Sequence, residues 1–291
     1  MIYDVRHVTT YGYEMPVTFA RCTLRLVPAD GAGQRVLAHR IQVAPATASR
    51  AERTAFFGAA SVFLTIESAH TELRIEARSR VEVTRDMPPE DETGPSWEEV
   101  RDLAFASDSL APDSPAHHLY PSRAVALADP ITAYARASFP ARRPVLAGGI
   151  DLMRRIKADF AYTPRATEVS TSALEAFRSR HGVCQDFAHV MIAGLRGHGL
   201  PAAYVSGYIH TKPPPGRPRL QGADATHAWA ALWCGPDLGW IGLDPTNGIL
   251  VGPDHIVLAI GRDYADVSPI DGVILGSGAQ KLQVAVDVIP V

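Results

Sequence analysis

Three side chains in this sequence could together carry out nucleophilic chemistry on a carbonyl group: Cys184, His227 and Asp244. A thiol is a weak nucleophile near neutral pH, because its reference pKa is about 8.5. A helix N-terminus and a neighbouring imidazolium both favour the reactive thiolate. A carboxylate can in turn hold the imidazole in the tautomer and orientation that the thiol needs. These residue types therefore predict a Cys-His-Asp triad, provided that the fold brings them together.

Cys184 lies in the stretch HGVCQDFAHV, two residues after Gly182. From Val183 onward, apolar residues recur at helical spacing, and Gly199 and Pro201 end the run. The pattern predicts a helix of about 15 residues, with the cysteine in its first turn. The free N–H groups of a first turn can bind an oxyanion, and the N–H of Cys184 itself is the natural donor.

His227 and Asp244 lie in two consecutive predicted strands, THAWAALWC and GWIGLDPTN, which CGPDLG connects. If these strands form a hairpin whose turn is centred between Gly235 and Pro236, the two residues lie directly opposite each other. A turn centred one residue further on makes them diagonal neighbours on the same face. In either register the carboxylate can orient the imidazole.

The composition narrows the class of protein that must position these residues. The chain has 291 residues, of which 46% are hydrophobic and 20% charged, and its net charge is −3. This balance is typical of a folded chain of one or two domains, without a basic stripe for nucleic acid. No apolar run approaches the ~20 residues that span a bilayer, and the N-terminus lacks the features of a signal peptide. We therefore expect a cytoplasmic protein that binds neither nucleic acid nor a membrane.

The cysteine count argues against disulfide bonds and against a metal site built from thiolates. Cys22, Cys184 and Cys234 are odd in number, widely spaced and free of any CxxC pattern. A disulfide framework or a thiolate zinc site is therefore not expected. We predict that Cys22 and Cys234 are structural residues, and that the protein needs no metal and no cofactor.

The order of patterns along the chain predicts an α+β protein. Residues 1–85 read as short strands of an antiparallel sandwich or barrel, followed by a Pro- and Gly-rich linker at 85–95. Residues 97–160 read as mainly helical, broken by prolines, and residues 161–291 as the core, with the cysteine helix and then strands that continue to the C-terminal end. Capping boxes are predicted where Ser96 precedes Glu99 and where Ser172 precedes Glu175.

The three motifs resemble those of the transglutaminase-like superfamily, in the same order: Cys184 in HGVCQDFAH, His227 in THAWAALW and Asp244 in GWIGLDPTNG. YDVRHVTTYGYEMPV with LRLVP is similar to the N-terminal region of bacterial members, and GRDYADVSPIDGV to their C-terminal segment. The resemblance covers nearly the whole chain, and is weakest over 86–145. It implies a β-rich, sandwich-like N-terminal domain (1–85), a helical connector (86–160) and a papain-like core (161–291) in which the cysteine helix packs on an antiparallel sheet.

The resemblance also implies thiol acyl chemistry on a peptide or protein substrate. The sulfur attacks an amide, and the acyl-thioester passes to water or to an amine; we favour hydrolysis, because water is always present. An oxyanion-hole side chain upstream of the cysteine is expected, and Tyr162 is our candidate. Trp229 shares the strand face of His227 and is a candidate cleft wall.

Several alternatives remain open at this stage. The chain could transfer acyl groups to amines, or use the same fold as a non-catalytic module that binds a peptide or partner. The three triad residues could instead ligate a metal such as zinc. Asp186 is interpreted as a helix cap, His189 as a packing residue and Asn247 as structural. The loop at 211–224 is a candidate flap over the substrate, and the oligomeric state is not predicted.

Overall fold

The computed structural model describes residues 1–31, 33–88, 93–164, 167–168, 170–211 and 226–291. Its strands are β1 (Ile2–Val17), β2 (Phe19–Leu24), β3 (Gln34–Ala44), β4 (Ser49–Thr54), β5 (Ala60–Ile66), β6 (His70–Val83), β7 (Ala161–Tyr162), β8 (His181–Gly182), β9 (Ala202–Ile209), β10 (Thr226–Trp233), β11 (Trp240–Asp244), β12 (Ile249–Leu250), β13 (His255–Gly261), β14 (Ile270–Leu275) and β15 (Gln280–Pro290). Its helices are α1 (Trp97–Phe105), α2 (Asp129–Arg136), α3 (Val145–Asp159), α4 (Ala173–Ser179), α5 (Cys184–Gly197) and α6 (Tyr264–Val267), with a 3₁₀ turn at Pro115–His118.

The N-terminal part of the chain forms a β-sandwich. One antiparallel sheet has the order β15-β1-β6-β3 and the other the order β14-β2-β5-β4. Alternate residues of β1, β2, β5 and β6 point inward, so that both sheets contribute to one buried apolar cluster. Strand β4 has no such alternation, because its sequence SRAERT is exposed throughout, and the sequence pattern therefore did not indicate it.

The last two strands lie in the sandwich rather than in the core to which the sequence assigned them. β15 pairs with β1 from Tyr3↔Pro290 to Tyr13↔Gln280, and β14 pairs with β2. A domain boundary at residue 85 alone therefore does not describe the sandwich completely, because the chain from about residue 270 onward returns to it. Hydrophobic alternation identifies a strand but carries no information on its distant pairing partner.

The rest of the chain forms an α/β core. Its five-stranded antiparallel sheet has the order β12-β11-β10-β9-β13. Helix α5 packs against β9 and β10, and α2, α3 and α4 contact the same helix. The predicted α+β fold, with the cysteine helix on an antiparallel sheet, is confirmed. Both predicted capping boxes form, at the starts of α1 and α4.

The sandwich and the core share an apolar interface. A buried cluster joins side chains of β1, β6 and β15 to side chains of β9 and β13. Hydrogen bonds reinforce it: the Tyr3 hydroxyl donates to Asp254 at 2.9 Å, and the Gln34 amide donates to the Val257 carbonyl at 2.9 Å. The start of β13 is thus fixed by residues of the sandwich. Within the described residues, no helix combines the length and the apolar character needed to cross a membrane.

Candidate active site

Helix α5 places Cys184 at its first position. The carboxylate of Asp186 accepts a hydrogen bond from the Val183 N–H at 2.8 Å and one from the Thr167 hydroxyl at 2.6 Å. These bonds define where the helix begins, which is the capping role predicted for Asp186. Because Cys184 is the first helical residue, its own N–H has no partner within the helix. This N–H is available to a bound oxygen.

Strands β10 and β11 bring His227 and Asp244 together. The pairs Ala230↔Leu243 and Trp233↔Trp240 fix the register of the hairpin. Continued by one step, this register places Asp244 opposite Trp229, and therefore makes His227 its diagonal neighbour rather than its direct partner. The turn is centred one residue beyond the Gly235–Pro236 position. The Nε2 atom of His227 lies 2.8 Å from Oδ2 of Asp244.

The other ring nitrogen of His227 is left for the thiol. Interaction with the nearby Cys184 side chain contributes to the raised pKa of His227, and since Nε2 faces Asp244, Nδ1 is the ring nitrogen left for the thiol. Burial opposes the charged imidazolium, but the hydrogen bonds and charges of Asp244 and Cys184 outweigh it and raise the pKa of His227. A protonated His227 between a thiol and a carboxylate is the arrangement that stabilises a thiolate.

Asp244 is fully buried and accepts hydrogen bonds on both oxygens. Oδ1 accepts from the backbone N–H groups of Thr246 at 3.0 Å and Asn247 at 3.1 Å. Oδ2 accepts from the Asn247 amide at 2.7 Å, from His227 and from His255 Nε2 at 3.3 Å. Burial favours the neutral acid, but these donors outweigh it and hold the pKa of Asp244 well below its usual range. The carboxylate therefore stays charged.

The sequence analysis missed His255, which lies at the start of β13. Its Nδ1 lies 3.4 Å from the backbone N–H of Gly252, which can only donate, so Nδ1 accepts and Nε2 carries the proton toward Asp244. The ring is 1% exposed. The histidine follows GPD in the sequence, and no spacing relative to His227 or Asp244 indicates that it returns to them.

A cavity of about 320 Å³ opens at the cysteine. It is lined by Lys157, Tyr162, Cys184, Ile209, Thr211, Thr226, His227, Thr246 and Asn247. Tyr162 is brought to it by the parallel pairing of β7 with β8, which precedes the cysteine helix. Burial and the nearby Cys184 raise the pKa of the Tyr162 hydroxyl, so this group is a neutral donor. Asn247 also faces the cavity, in addition to the structural role expected for it.

Trp229 does not form a wall of this cavity, contrary to the sequence prediction. It is 1% exposed and packs in a separate apolar cluster with Ala203, Val205 and Val251. Its ring lies behind the triad, 6.0 Å from the ring of His227 and 5.2 Å from that of His255. Strand parity correctly gave the shared face, but this face is covered at the level of Trp229. The residue supports the histidines from within the core.

Two further histidines near Cys184 in the sequence, His181 and His189, do not line the cavity. His189 is buried in α5, where its Nε2 accepts from the Tyr264 N–H at 3.3 Å, and burial lowers its pKa to about 4. His181 bonds the Thr163 hydroxyl at 3.2 Å. The partner of His189 lies in α6, 75 residues away along the chain, so the local bond that the sequence suggested for this histidine is not the one that forms. The proposed flap at 211–224 lies outside the described residues apart from Thr211.

The three cysteines have different surroundings. Cys22 is buried in the sandwich and Cys234 in the core, whereas Cys184 is partly exposed in the cavity. Burial raises the pKa of both buried thiols, that of Cys234 to about 12. Only Cys184, among the three, combines access with a histidine partner.

Three residues at the site also have the spacing of a metal-binding group. Nε2 of His227, Nε2 of His255 and a carboxylate oxygen of Asp244 lie within 4.8 Å of one another, as a group that could hold a metal ion. This set contains His255 in place of the Cys184 that the sequence-based alternative included. However, the Nε2 atoms of His227 and His255 lie 2.8 and 3.3 Å from Oδ2 of Asp244, which are hydrogen-bond distances with a proton on each Nε2. A metal ion would have to displace both protons.

Comparisons with known proteins agree with this architecture. The family model for the bacterial transglutaminase-like N-terminal region matches residues 3–82, and that for the transglutaminase-like superfamily matches residues 131–245. An uncharacterized protein of Mycobacterium tuberculosis is 40% identical over 295 residues, covering 99% of this chain and 92% of its own length. One of Mycobacterium leprae is 33% identical over 98% of this chain and 97% of its own length.

The fold also has a solved counterpart. A protein from Cytophaga hutchinsonii, designated a cysteine protease candidate, superposes with a TM-score of 0.77 at 21% identity, over 100% of this chain and 91% of that chain. The chain therefore shares its fold with that protein. The chain belongs to the transglutaminase-like superfamily, in its bacterial branch with the characteristic N-terminal region.

Proposed function

We propose that this protein is a cysteine peptidase or amidase that hydrolyses peptide or isopeptide amides with Cys184, His227 and Asp244. The observation that carries the proposal is the buried chain of contacts from Asp244 through His227 to Cys184, which ends in a cavity. Ionised groups are costly to bury, and such arrangements cluster at functional sites. A module that only binds a partner has no use for this charged chain.

The proposed reaction begins with attack of the Cys184 thiolate on the amide carbonyl carbon, which forms a C–S bond and an oxyanion. The N–H of Cys184 donates to this oxyanion, and the Tyr162 hydroxyl is the second candidate donor. His227 then gives its Nδ1 proton to the leaving amine as the C–N bond breaks. The products of this half-reaction are a free amine, an acyl-thioester and a neutral imidazole.

In the second half-reaction, the neutral His227 takes a proton from a water molecule as this water attacks the thioester. The C–S bond breaks, the acid leaves, and the thiolate and imidazolium are restored. Asp244 keeps its charge throughout and stabilises the imidazolium. An amine in place of this water would give transglutaminase-type transfer; we assign hydrolysis, because the polar groups that line the cavity admit water.

The proposal is tested by the pH dependence of alkylation with iodoacetamide, with each modified cysteine located by mass spectrometry. We expect rapid labelling of Cys184 at pH 6, while the buried Cys22 and Cys234 in the same molecule serve as internal controls. His227→Ala should slow this labelling strongly, and Cys184→Ser should remove it together with any amidase turnover. Labelling of Cys184 with the pH profile of a free thiol, unchanged in His227→Ala, would refute the proposal.

A further inference from the structure

Among the described residues, one lysine lines the cavity at Cys184. The sequence has 28 basic residues, of which only three are lysines: Lys157, Lys212 and Lys281. Lys157 lines the cavity together with Cys184 and His227, and its Nζ donates to the carbonyl oxygen of Thr246 at 2.8 Å. Among the described residues no carboxylate pairs with it. Its positive charge therefore remains available to a molecule in the cavity.

The fold holds this ammonium group in place. Lys157 lies in the last turn of α3, and its aliphatic stem packs on Gly248, which follows Asp244 in the same turn as Thr246. Gly248 has φ +72°, and a Cβ there would approach Cγ of Lys157 to 3.0 Å. The positive φ of Gly248 favours glycine in this turn, and the missing side chain leaves space for the stem of Lys157. The ammonium group is therefore held against the turn that directly follows the carboxylate residue Asp244.

Thr246 supplies a second, independent observation. Its hydroxyl oxygen is buried and has no hydrogen-bond partner among the described residues. The residue as a whole is 8% exposed, and it lines the cavity. A buried polar group without a partner typically costs about 1–3 kcal/mol. The hydroxyl proton can be donated to a bound oxygen atom, beside the Lys157 ammonium that bonds the carbonyl of the same residue.

The charge of the cavity favours an anion there. Within the described part of the chain, no aspartate or glutamate lines it. The charged carboxylate of Asp244 is fully buried, and His227, His255 and Asn247 donate hydrogen bonds to it. We propose that Lys157 Nζ and the Thr246 hydroxyl form a subsite for a carboxylate of the substrate, next to the amide that Cys184 attacks. This inference rests on the proposed function and names its substrate class: peptides that carry a carboxylate close to the scissile amide.

Two sources could supply this carboxylate, an acidic side chain and the C-terminus of a peptide. Both present the same planar pair of oxygens to an ammonium and a hydroxyl. A cavity of this volume is on the order of 10 Å across, about one Debye length in 0.1 M salt. The charge of Lys157 should therefore act on small anionic reagents that enter it.

The first test compares iodoacetate with iodoacetamide at Cys184, because the two reagents differ mainly in a carboxylate. The measured quantity is the ratio of the two alkylation rates at pH 7 and low salt. We expect Lys157→Gln to lower this ratio severalfold, Lys157→Arg to preserve it, and 0.5 M salt to reduce the wild-type ratio. Lys281→Gln, at an exposed position of β15, is the matched control and should leave the ratio unchanged.

The outcomes separate this inference from the proposed function. If iodoacetamide labels Cys184 rapidly but the ratio is the same in wild type and Lys157→Gln, the subsite is refuted while the catalytic thiol stands. If iodoacetamide itself shows an unactivated thiol, the proposed function fails first. A loss of both rates by the same factor in Lys157→Gln would show a purely structural lysine, and would also refute the subsite.

The second test identifies the source of the carboxylate by protection of Cys184 against iodoacetamide. N-acetylglutamate amide carries a side-chain carboxylate, N-acetylglutamine a C-terminal one, and N-acetylglutamine amide neither. We expect protection by one of the two anions, weakened severalfold in Lys157→Gln and in Thr246→Val. Equal protection by the neutral compound, or protection by none of the three, would overturn the assignment.

Discussion

The β-sandwich and the α/β core treat charged groups in opposite ways. In the sandwich, Glu76 binds three arginines whose side chains are between 38% and 63% exposed: Arg6, Arg74 and Arg78. In the core, Asp244 is fully buried, and its partner His227 is 7% exposed. In the first arrangement the arginines lie in water, and they cover Glu76, whose side chain is 12% exposed. In the second arrangement both partners are removed from water.

This difference indicates that the core, unlike the sandwich, contains charged groups whose burial lowers its stability. Exposed ion pairs typically contribute about 0–1 kcal/mol to stability, and their groups need no special environment. Burial of a charged pair is expensive, and apolar residues of similar size would often be as stable. The core nevertheless keeps a carboxylate and two imidazoles beneath a cavity with a cysteine at its mouth. Stability does not require this arrangement, whereas the nucleophilic catalysis that we propose does.

The largest effect is expected when one carboxylate is neutralised in each region and the two variants are compared. Asp244→Asn removes the charge that keeps His227 protonated, so we expect Cys184 alkylation at pH 6 to slow by on the order of tenfold or more. Glu76→Gln should leave alkylation unchanged, because Glu76 lies in the sandwich and does not line the cavity, and its effect on unfolding should come from the loss of its ion pairs with the three arginines. The checks are alkylation rates and urea titrations of both variants. Equal alkylation rates in the two variants would contradict the distinction.

A smaller effect is expected when the second imidazole on Asp244 is removed. His255→Leu deletes one donor to the buried carboxylate and one acceptor for the Gly252 N–H. We expect the free energy of unfolding to fall by about 1–3 kcal/mol, and alkylation of Cys184 to slow less than in Asp244→Asn. His255→Gln, which can place an amide N–H near Oδ2, should recover part of the stability. A loss of alkylation as large as that of Asp244→Asn would place His255 in the catalytic group itself.

The buried pair should also give stability a pH dependence of known sign. The raised pKa of His227, about 10, means that its contribution is fully present below about pH 6.5 and is lost as the pH rises through about 10. The difference in unfolding free energy between wild type and His227→Gln should therefore be larger at pH 7 than at pH 10.5. In the Asp244→Asn background this pH dependence should weaken, and an unchanged slope there would show that another group causes it.

The smallest expected effect concerns metal. If the His227, Asp244 and His255 group acts through hydrogen bonds, exhaustive chelation with EDTA leaves the alkylation of Cys184 and any amidase turnover unchanged. Added zinc should slow alkylation, because it competes with the protons on the two Nε2 atoms. Loss of turnover on chelation, with recovery on addition of metal, would instead make these residues ligands.

Much of the site was predictable because its signals are local. The period of 3.6 residues from Val183 places Cys184 at a helix start, and the period of two along β10 and β11 places His227 and Asp244 on one face. The capping residues Ser96 and Ser172 act within three positions of themselves. The choice between the direct and the diagonal register depended on the backbone geometry of the turn at 234–239, which the structure shows and the sequence analysis left open.

The sequence by itself determined which residues start the cysteine helix, which strand face carries the histidine and aspartate, and which family the motifs resemble. Only the tertiary structure decided that His255 lies against Asp244, that Lys157 enters the same cavity, that Trp229 is enclosed, and that β14 and β15 complete the N-terminal sandwich. Side-chain periodicity is set by the backbone of one element. Contacts between distant elements depend instead on strand pairing and packing, which no short stretch of sequence records.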